Sequence, residues 1–289
     1  MSDITIPRVV LVTGAASGFG RLTVEALAGR GHTVFAGIRN IEGKNRVAAE
    51  ELDATRNVTV VELDVTDQDA ATRAIDTIVA TEGRIDVVVN NAGRVFAGPV
   101  EAFTAEEALQ QYDLNVLGAL RVNRAALPHL RRRGRGVMIQ VSSTGARFTV
   151  PYTGLYTSSK AALSSLTETW RQELASFGIE SVSVEPAPYE TNLGVNGVMP
   201  ADAARMEPYL PALGAFMTEL AARQAEDDRD PRPVADALVR LVEAADGTRP
   251  YRTVVAPPAQ AAAVEELYRA GDEAVRLIAA DMGITAHMR

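Results

Sequence analysis

The stretch Thr13-Gly14-Ala15-Ala16-Ser17-Gly18-Phe19-Gly20 lies between an apolar run, residues 8–13, and a helical pattern that begins at Arg21. Glycines in the spacing Gly-x-x-x-Gly-x-Gly let the backbone turn tightly and approach a pyrophosphate, which the N-terminus of the following helix attracts. A glycine-rich turn alone is a weak sign of nucleotide binding, but its position between a first strand and a helix strengthens it. The candidate cofactor residues in this turn are Gly14, Ser17, Gly18, Phe19 and Gly20.

Six further short runs rich in β-branched residues follow, separated by helical patterns: residues 33–38, 58–62, 87–89, 137–141, 182–184 and 252–255. Strands that are apolar throughout and alternate with helices predict a parallel sheet covered on both faces. With right-handed crossovers, the expected fold class is α/β, a Rossmann-like doubly wound sheet of about seven strands. Its ligand site should lie beyond the carboxyl ends of the strands, and polar residues do cluster there.

We expect one domain over residues 1–289, because α/β folds often reach about 250 residues as a single unit. Two segments interrupt the alternation of strands and helices. Residues of about 192–232 contain several prolines among apolar side chains, which predicts short mobile helices forming a lid over the substrate. After Pro257-Pro258, an alanine-rich amphipathic stretch predicts a C-terminal helical extension, about 257–289, built as a helix pair or a broken helix.

The charge balance limits the possible partners. Apolar residues make up 47% of the chain and charged residues 23%, which is typical of a globular protein. The net charge of −8 argues against a nucleic-acid or anionic-membrane partner, since both require a concentrated basic surface. The basic cluster at residues 131–135 is expected at a helix end, where cations complement the helix dipole.

Metal and membrane sites are not expected. The chain has no cysteine, and its three histidines show no ligand spacing, so we predict no metal site. No apolar run approaches the about 18 residues that a membrane span requires. The first strand begins too early to leave room for a signal peptide, and the sequence therefore predicts a cytoplasmic protein.

The end of the second strand bears on the choice of dinucleotide. An acidic residue there would hydrogen-bond the adenosine ribose and repel a 2′-phosphate. This chain has Gly37-Ile38-Arg39-Asn40 instead, and the Arg39 guanidinium suits a phosphomonoester. The alternative is that Arg39 is an ordinary surface residue of an arginine-rich chain. We predict that NADP(H) is preferred and that NAD(H) is possible.

Two further strand ends carry residues that suit a nucleotide. Asp64-Val65 places a carboxylate where an adenine amino group could be bound, although a lone Asp after a strand also suits a turn or a helix cap. Asp67 is expected to cap the next helix. After the fourth strand, residues 90–93 offer side chains that can lie against a ribose or simply form a turn. The candidate cofactor residues here are Asp64, Val65, Asn91, Ala92 and Gly93.

Tyr156 and Lys160 lie four residues apart at the start of a helix, so the phenol and the ammonium share one face. A nearby ammonium favours the phenolate and would bring the Tyr pKa towards the working range of an acid–base catalyst. Ser143 follows the fifth strand, and Asn115 lies in a long helix expected beside it. Either could be a cap or a polar helix residue, but convergence with Tyr156 favours one shared site. The other lysine, Lys44, is interpreted as a surface residue.

These motifs occur in one order: residues 13–20, Asp64-Val65, residues 90–93, Ser143, and Tyr156 with Lys160. In that order the chain strongly resembles the short-chain dehydrogenase/reductase family, in its shorter branch. The resemblance is dense over residues 8–192 and looser at the seventh strand. It implies that Tyr156 exchanges a proton with the substrate oxygen and that Lys160 holds the nicotinamide ribose and lowers the Tyr156 pKa. It also implies that Ser143 hydrogen-bonds the substrate carbonyl and that Asn115 anchors a water of the proton relay.

One position departs from the family pattern. After the sixth strand the family usually has Pro-Gly, whereas this chain has Pro186-Ala187. Ala cannot freely replace a Gly with unusual dihedral angles, so the backbone beside the nicotinamide is expected to differ locally. By resemblance, Pro186 and Thr191 are further candidate cofactor residues.

The sequence predicts an enzyme, an NADP(H)-dependent oxidoreductase that interconverts a carbonyl and a secondary alcohol. The apolar lid favours an apolar or aromatic small-molecule substrate, and the resemblance implies a homodimer or homotetramer. The alternative is a cofactor-binding redox sensor or regulator without turnover, but such proteins typically lose the Ser, Tyr or Lys that this chain retains. A serine hydrolase would require a Gly-x-Ser-x-Gly elbow, which the sequence lacks.

Overall fold

Seven strands form one sheet in the computed structural model of the protein, which describes residues 6–224 and 229–285. They are β1 Val9–Thr13, β2 Thr33–Ile38, β3 Val58–Glu62, β4 Val87–Asn90, β5 Gly136–Val141, β6 Ile179–Pro186 and β7 Arg252–Val255. Their order is β3-β2-β1-β4-β5-β6-β7, and every neighbouring pair is parallel. The predicted doubly wound sheet is confirmed, and its order reverses between β1 and β4, where such folds bind ligands.

Helices cover both faces of the sheet. They are α1 Gly18–Gly29, α2 Arg46–Asp53, α3 Gln68–Glu82, α4 Ala105–Tyr112, α5 Gly118–Arg133, α6 Gly154–Leu174, α7 Asn192–Val195, α8 Ala203–Met206, α9 Leu210–Gln224, α10 Arg232–Glu243 and α11 Pro258–Asp281. Successive side chains of β1 point to opposite faces. Val10 and Val12 pack with α1, α2 and α10, whereas Val9 and Leu11 pack with α3, α5 and α6. Each strand is therefore apolar throughout because both of its faces are buried.

Two helix ends agree with the sequence analysis. The Asp67 side chain accepts a hydrogen bond from the Asp69 N–H and caps α3, as predicted. The basic cluster ends α5, whose last turn holds Arg131, Arg132 and Arg133 before Gly134 at φ 65°. Arg133 forms an ion pair with Asp86, so at least this cation of the cluster is used within the fold.

The C-terminal extension differs from its prediction. Over the described residues it forms a single helix, α11, rather than a helix pair or a broken helix. The residue most able to interrupt it is Gly271, and a glycine inside a helix costs only about 1 kcal/mol. In the lid, α7 and α8 are short, as predicted, but α9 spans 15 residues. Parts of the predicted domain, lid and extension, at residues 1–5, 225–228 and 286–289, lie outside the described residues.

His32, between α1 and β2, is fully buried and gives a pH test of the fold. Its Nδ1 accepts a hydrogen bond from the Arg8 N–H at 3.1 Å, which requires the neutral ring or the loss of that bond. Burial lowers the pKa of His32, an effect larger than that of the nearby Glu243 carboxylate. The fold therefore favours the neutral ring.

The free energy of unfolding should consequently fall as the pH drops below about 6.5, where the unfolded chain takes up a proton that the folded chain resists. In His32→Asn the side-chain carbonyl can still accept from Arg8 but does not titrate. We expect a smaller loss of stability between pH 7.5 and pH 5.5 in this variant, measured by urea unfolding at both values. Equal losses in the two proteins would contradict the assignment to His32.

Candidate active site

A groove with a volume of about 430 Å³ runs along the carboxyl ends of β1 to β5. Most residues predicted to hold a cofactor line it: Gly14, Ser17, Gly18, Phe19, Arg39, Asp64, Val65, Asn91, Ala92, Gly93, Tyr156, Lys160 and Thr191. Gly20 and Pro186 are not among the lining residues. The groove lies at the switch point between β1 and β4, where the fold is expected to bind a dinucleotide.

The glycine-rich turn forms one wall of this groove. Gly14 has a φ of +67°, and a Cβ there would lie 2.8 Å from the Ala92 Cα. Gly18, at φ +56°, begins α1, whose N-terminus faces the groove. A Cβ on Gly20 would lie 2.5 Å from the Gly14 carbonyl oxygen, so Gly20 allows α1 to pack on the turn rather than contacting a ligand. A close backbone turn beside a helix N-terminus fits the pyrophosphate of a dinucleotide.

Thr13 and Asn91 join the two loops on either side of the switch point. The Thr13 hydroxyl accepts from the backbone N–H groups of Asn91 and Ala92, both at 3.0 Å. The Asn91 amide donates to the carbonyl oxygens of Thr13 at 2.9 Å and Gly14 at 3.3 Å. The Asn91 amide N–H groups thus hold the glycine-rich turn in place, and Asn91 also lines the groove.

The end of the groove formed by the loop after β2 carries two cations. Arg39 and Lys44 both line it, although both are exposed. The Asn45 amide donates to the Arg39 carbonyl oxygen at 2.7 Å, which fixes the loop between them. Glu62 is the one carboxylate bonded to this loop in the described residues, and its two oxygens accept from the N–H groups of Asn40 and Ile41. Glu62 therefore anchors the backbone of this loop at the end of β2.

Asp64 forms a local turn and also lines the groove. Its Oδ1 accepts from the Thr66 N–H at 2.9 Å and from the Thr66 hydroxyl at 2.7 Å, which forms a local turn. The same residue lines the groove between Leu63 and Val65. The turn formed by Asp64 is thus part of the groove wall.

Tyr156 lies at the far end of the groove, in the first turn of α6, and is hydrogen-bonded to the Ser143 hydroxyl. Burial raises the pKa of Tyr156, and the Ser143 hydrogen bond only partly opposes this effect. The lowered pKa predicted from a nearby ammonium is therefore not found. A phenolate loses its water of hydration here, and this loss disfavours the charged form.

Lys160 follows Tyr156 by one helical turn and is 5% exposed. Its Nζ lies 5.9 Å from the centre of the Tyr156 ring and donates to the Val141 carbonyl oxygen at 2.7 Å. Burial lowers the pKa of Lys160 to about 8. The ammonium is thus protonated at neutral pH but is held in an environment that disfavours its charge.

Asn115 lies in a π-helical turn, Asp113–Leu117, between α4 and α5 rather than in a regular helix. Such turns often occur at functional sites because they redirect side chains. The Asn115 amide donates to the Arg94 carbonyl oxygen at 3.0 Å and to the Ser159 hydroxyl at 3.1 Å, while its oxygen accepts from the Arg94 N–H. Asn115 therefore joins the loop after β4 to α6, directly behind Lys160.

The end of β6 has ordinary backbone geometry at the position of the family departure. Ala187 is not among the non-glycine residues with positive φ, and its N–H donates to the Val255 carbonyl oxygen at 2.8 Å. Ala187 therefore does not need the left-handed backbone conformation that would favour a glycine. The Pro186 carbonyl oxygen accepts from the hydroxyls of Ser143 and Thr144, at 3.5 and 3.3 Å. Thr191 caps α7, its hydroxyl accepting from the Leu193 N–H at 3.3 Å.

The segment predicted to form a lid contacts the loop after β4 beside this site. Val198 pairs with Phe96 in an isolated β-bridge, and the Arg94 Nε donates to the Asn196 carbonyl oxygen at 2.9 Å. The Tyr152 ring lies 5.3 Å from the Phe216 ring of α9. Tyr152 adopts a φ of +64°, which is strained for an aromatic residue and typical of functional sites. The Tyr152–Phe216 contact therefore joins α9 to the loop before α6.

Several groove residues were missed from the sequence, among them Lys44, Arg94 and Asn196. Lys44 carried a signal, since it is one of two lysines in the chain and follows Arg39 by five residues. Nothing in the sequence indicated Arg94 and Asn196, because their contact depends on how the segment after β6 folds back onto the loop after β4.

No cluster of metal-ligating residues occurs in residues 6–224 and 229–285. Within the same residues, no helix is both long and apolar enough to cross a membrane.

A doubly wound sheet, a dinucleotide groove and a Tyr–Lys pair at its end define a nicotinamide-dependent oxidoreductase acting on alcohol or carbonyl groups. A family model described as short chain dehydrogenase matches residues 8–198. The chain belongs to the short-chain dehydrogenase/reductase family, and the earlier resemblance is confirmed.

Relatives and solved structures agree with this family. The chain is 32% identical to 3-ketodihydrosphingosine reductase of Bacteroides thetaiotaomicron, over 88% of this chain and 90% of that protein. It is 33% identical to NADPH-dependent 3-dehydrocapnine reductase of Ornithobacterium rhinotracheale, over 64% of this chain and 67% of that protein. A crystal structure of a short-chain dehydrogenase from Streptomyces avermitilis superimposes with a TM-score of 0.73 at 31% identity, over 96% of this chain and 98% of that one.

Proposed function

We propose that the protein is an NADP(H)-dependent reductase or dehydrogenase that interconverts a carbonyl and a secondary alcohol, with Tyr156 as the general acid or base. The observation that carries this proposal is that Tyr156 and Lys160 both line one end of the groove, with Ser143 hydrogen-bonded to Tyr156. When bound, the nicotinamide supplies or accepts the hydride at the substrate carbon. The three side chains then have to stabilise the charge on the substrate oxygen and transfer its proton.

In the reducing direction, the Tyr156 hydroxyl donates its proton to the carbonyl oxygen as the carbon accepts hydride. The raised pKa keeps the phenol protonated at neutral pH, which suits this donation. Ser143 donates a hydrogen bond to the developing oxyanion, a contribution of about 10²–10³ in rate for a preorganised donor. Lys160 provides a positive charge behind the phenolate that remains, and Asn115 holds the loop and helix that frame Lys160.

The substrate is proposed to be apolar or aromatic, because the predicted lid carries apolar side chains and its Phe216 ring lies 5.3 Å from the Tyr152 ring. The test is consumption of NADPH by the purified protein with a long-chain aliphatic ketone, an aryl ketone, a β-keto ester and a steroid ketone. Turnover of at least one ketone supports the proposal. Binding of NADPH without turnover of any of them would contradict it and favour a redox sensor.

NADP(H) is proposed over NAD(H) because Arg39 and Lys44 both line the adenine end of the groove. Each charge-assisted contact to a phosphate contributes about 1.5–3 kcal/mol. We therefore expect Arg39→Ala and Lys44→Ala each to weaken NADPH binding by about tenfold or more while leaving NADH binding unchanged. Titration of both cofactors by fluorescence checks this.

Arg46→Ala is the matched control for these two substitutions. Arg46 lies on the same side of the molecule but pairs with Glu50 and does not line the groove. An equal loss of NADPH binding in Arg46→Ala would indicate a general charge effect. Tighter binding of NADH than NADPH by the unmodified protein would overturn the preference itself.

Assembly and location complete the proposal. We propose a homodimer or homotetramer in the cytoplasm, with an interface formed by the helices around residues 104–132 and 154–177. Leu109 and Leu117 are large apolar side chains exposed in this region, at 69% and 41%. Light scattering coupled to gel filtration measures the mass, and a monomer at micromolar concentration would contradict this assembly.

A further inference from the structure

A polar cluster around the buried Glu185 joins α11 to the sheet outside the groove. It consists of Arg147, Glu185, Arg252 and Tyr268 and is called the Tyr268 cluster below. Glu185 lies in β6 and is fully buried, and Tyr268, in α11, is 7% exposed. A buried carboxylate is costly unless charged and hydrogen-bonding partners surround it, so the cluster must be specifically built.

Tyr268 lies between two guanidinium groups. The Arg147 and Arg252 carbons Cζ lie 4.6 and 4.1 Å from the centre of its ring. Its hydroxyl donates to Glu185 Oε2, and the Ser183 hydroxyl donates to Oε1 at 3.2 Å. Burial raises the pKa of Glu185, and the hydrogen bond from Tyr268 and the two arginines oppose that rise. Removing the Tyr268 hydroxyl would therefore leave a buried carboxyl group short of a partner.

The cluster holds both ends of the segment that carries Ser143. Glu185 directly precedes Pro186, whose carbonyl oxygen accepts from the hydroxyls of Ser143 and Thr144. Arg147 follows Ser143 by four residues, at the end of the 3₁₀ turn Thr144–Ala146, and its N–H donates to the Thr144 carbonyl oxygen. The Glu168 carboxylate of α6 accepts hydrogen bonds from the Arg147 guanidinium at 2.5 Å and from the Arg252 guanidinium at 3.1 Å. A displacement of Tyr268 would thus alter the position of Ser143 through two connections, one by way of Glu185 and Pro186 and one by way of Arg147.

We propose that Tyr268, Glu185 and Arg147 are positioning residues that hold the Ser143 hydroxyl against Tyr156, so that α11 is part of the catalytic architecture. The inference rests on the proposed function of Ser143. Such positioning matters because a hydrogen-bond donor stabilises an oxyanion only when it is held within a few tenths of an ångström of its best position. The groove that holds the cofactor lies on other elements and does not depend on the cluster.

The test is Tyr268→Phe, which keeps the ring between the two arginines and removes only the hydroxyl. With the ketone that the protein reduces fastest, we expect kcat to fall about tenfold, as for other residues that act through a network. The dissociation constant for NADPH should not change. In a Ser143→Ala background the same substitution should leave kcat unchanged, because the group that Tyr268 positions is already missing.

Tyr251→Phe is the matched control, since Tyr251 also lies between two arginines, Arg171 and Arg252, but does not contact Glu185 in the described structure. It should retain full activity. Arg147→Lys, measured in the same two backgrounds, approaches the cluster from its other side and should reproduce the pattern if Tyr268→Phe does not fold. An equal fall in both backgrounds, or no fall in either, would overturn the inference. Turnover by the unmodified protein and its loss in Ser143→Ala test the proposed function separately.

Discussion

Tyr156→Phe is expected to lower kcat for ketone reduction by about 10³-fold, within the range that a positioned general acid contributes. The substitution keeps the ring in the first turn of α6 and removes only the proton donor. NADPH binding should be unchanged, since the glycine-rich turn and the Arg39 loop form the larger part of the groove. The measurement is steady-state NADPH consumption together with a direct titration of the cofactor.

The result separates a catalytic phenol from a structural one. Tyr251→Phe, a phenol remote from the groove, serves as the control and should keep its activity. If Tyr156→Phe retained turnover with the same ketone, the proton would have to come from another group, and the role given to Tyr156 would be wrong. A parallel loss of NADPH binding would instead indicate that the phenol mainly supports the groove.

Local patterns predicted the parts of the fold that depend on local physics. The apolar runs became strands because both faces of the sheet are covered, and Asp67 caps α3 because its side chain reaches the Asp69 N–H. The spacing of Tyr156 and Lys160 likewise places both residues at one end of the groove. These features can be predicted because they depend only on the period of a helix or strand and on residues that are close in the sequence.

The features that escaped prediction arise from contacts between distant segments. Lys44 lines the groove because the Asn45 amide fixes its loop to Arg39, and Tyr268 meets Glu185 only once α11 packs on the sheet. The raised pKa of Tyr156 also follows from burial, which no i, i+4 spacing can reveal. The sequence indicated which groups converge, whereas the packing around them determines the direction in which their pKa values shift.

Lys160→Met is expected to abolish most turnover, by about 10³-fold, and yet to make the protein more stable at neutral pH. Burial lowers the pKa of Lys160 from 10.5 to about 8, so the folded protein disfavours the ammonium. A shift of this size corresponds to a cost of about 3 kcal/mol that applies fully below pH 8. Methionine fills a similar volume without the charge, and the lost hydrogen bond to the Val141 carbonyl oxygen offsets part of the gain.

The difference in the free energy of unfolding between the wild type and Lys160→Met should depend on pH. Between pH 8 and about 10.5 the unfolded chain binds a proton that the folded chain has released, so the lysine's cost disappears as the pH rises. Wild-type stability should therefore increase relative to that of Lys160→Met across this range, with the variant more stable by about 1–3 kcal/mol at pH 7. Urea unfolding of both proteins at pH 7 and pH 10 measures the difference. A variant that is less stable at both values would mean that Lys160 supports the fold, whereas a more stable, inactive variant identifies a charge retained for catalysis at the expense of stability.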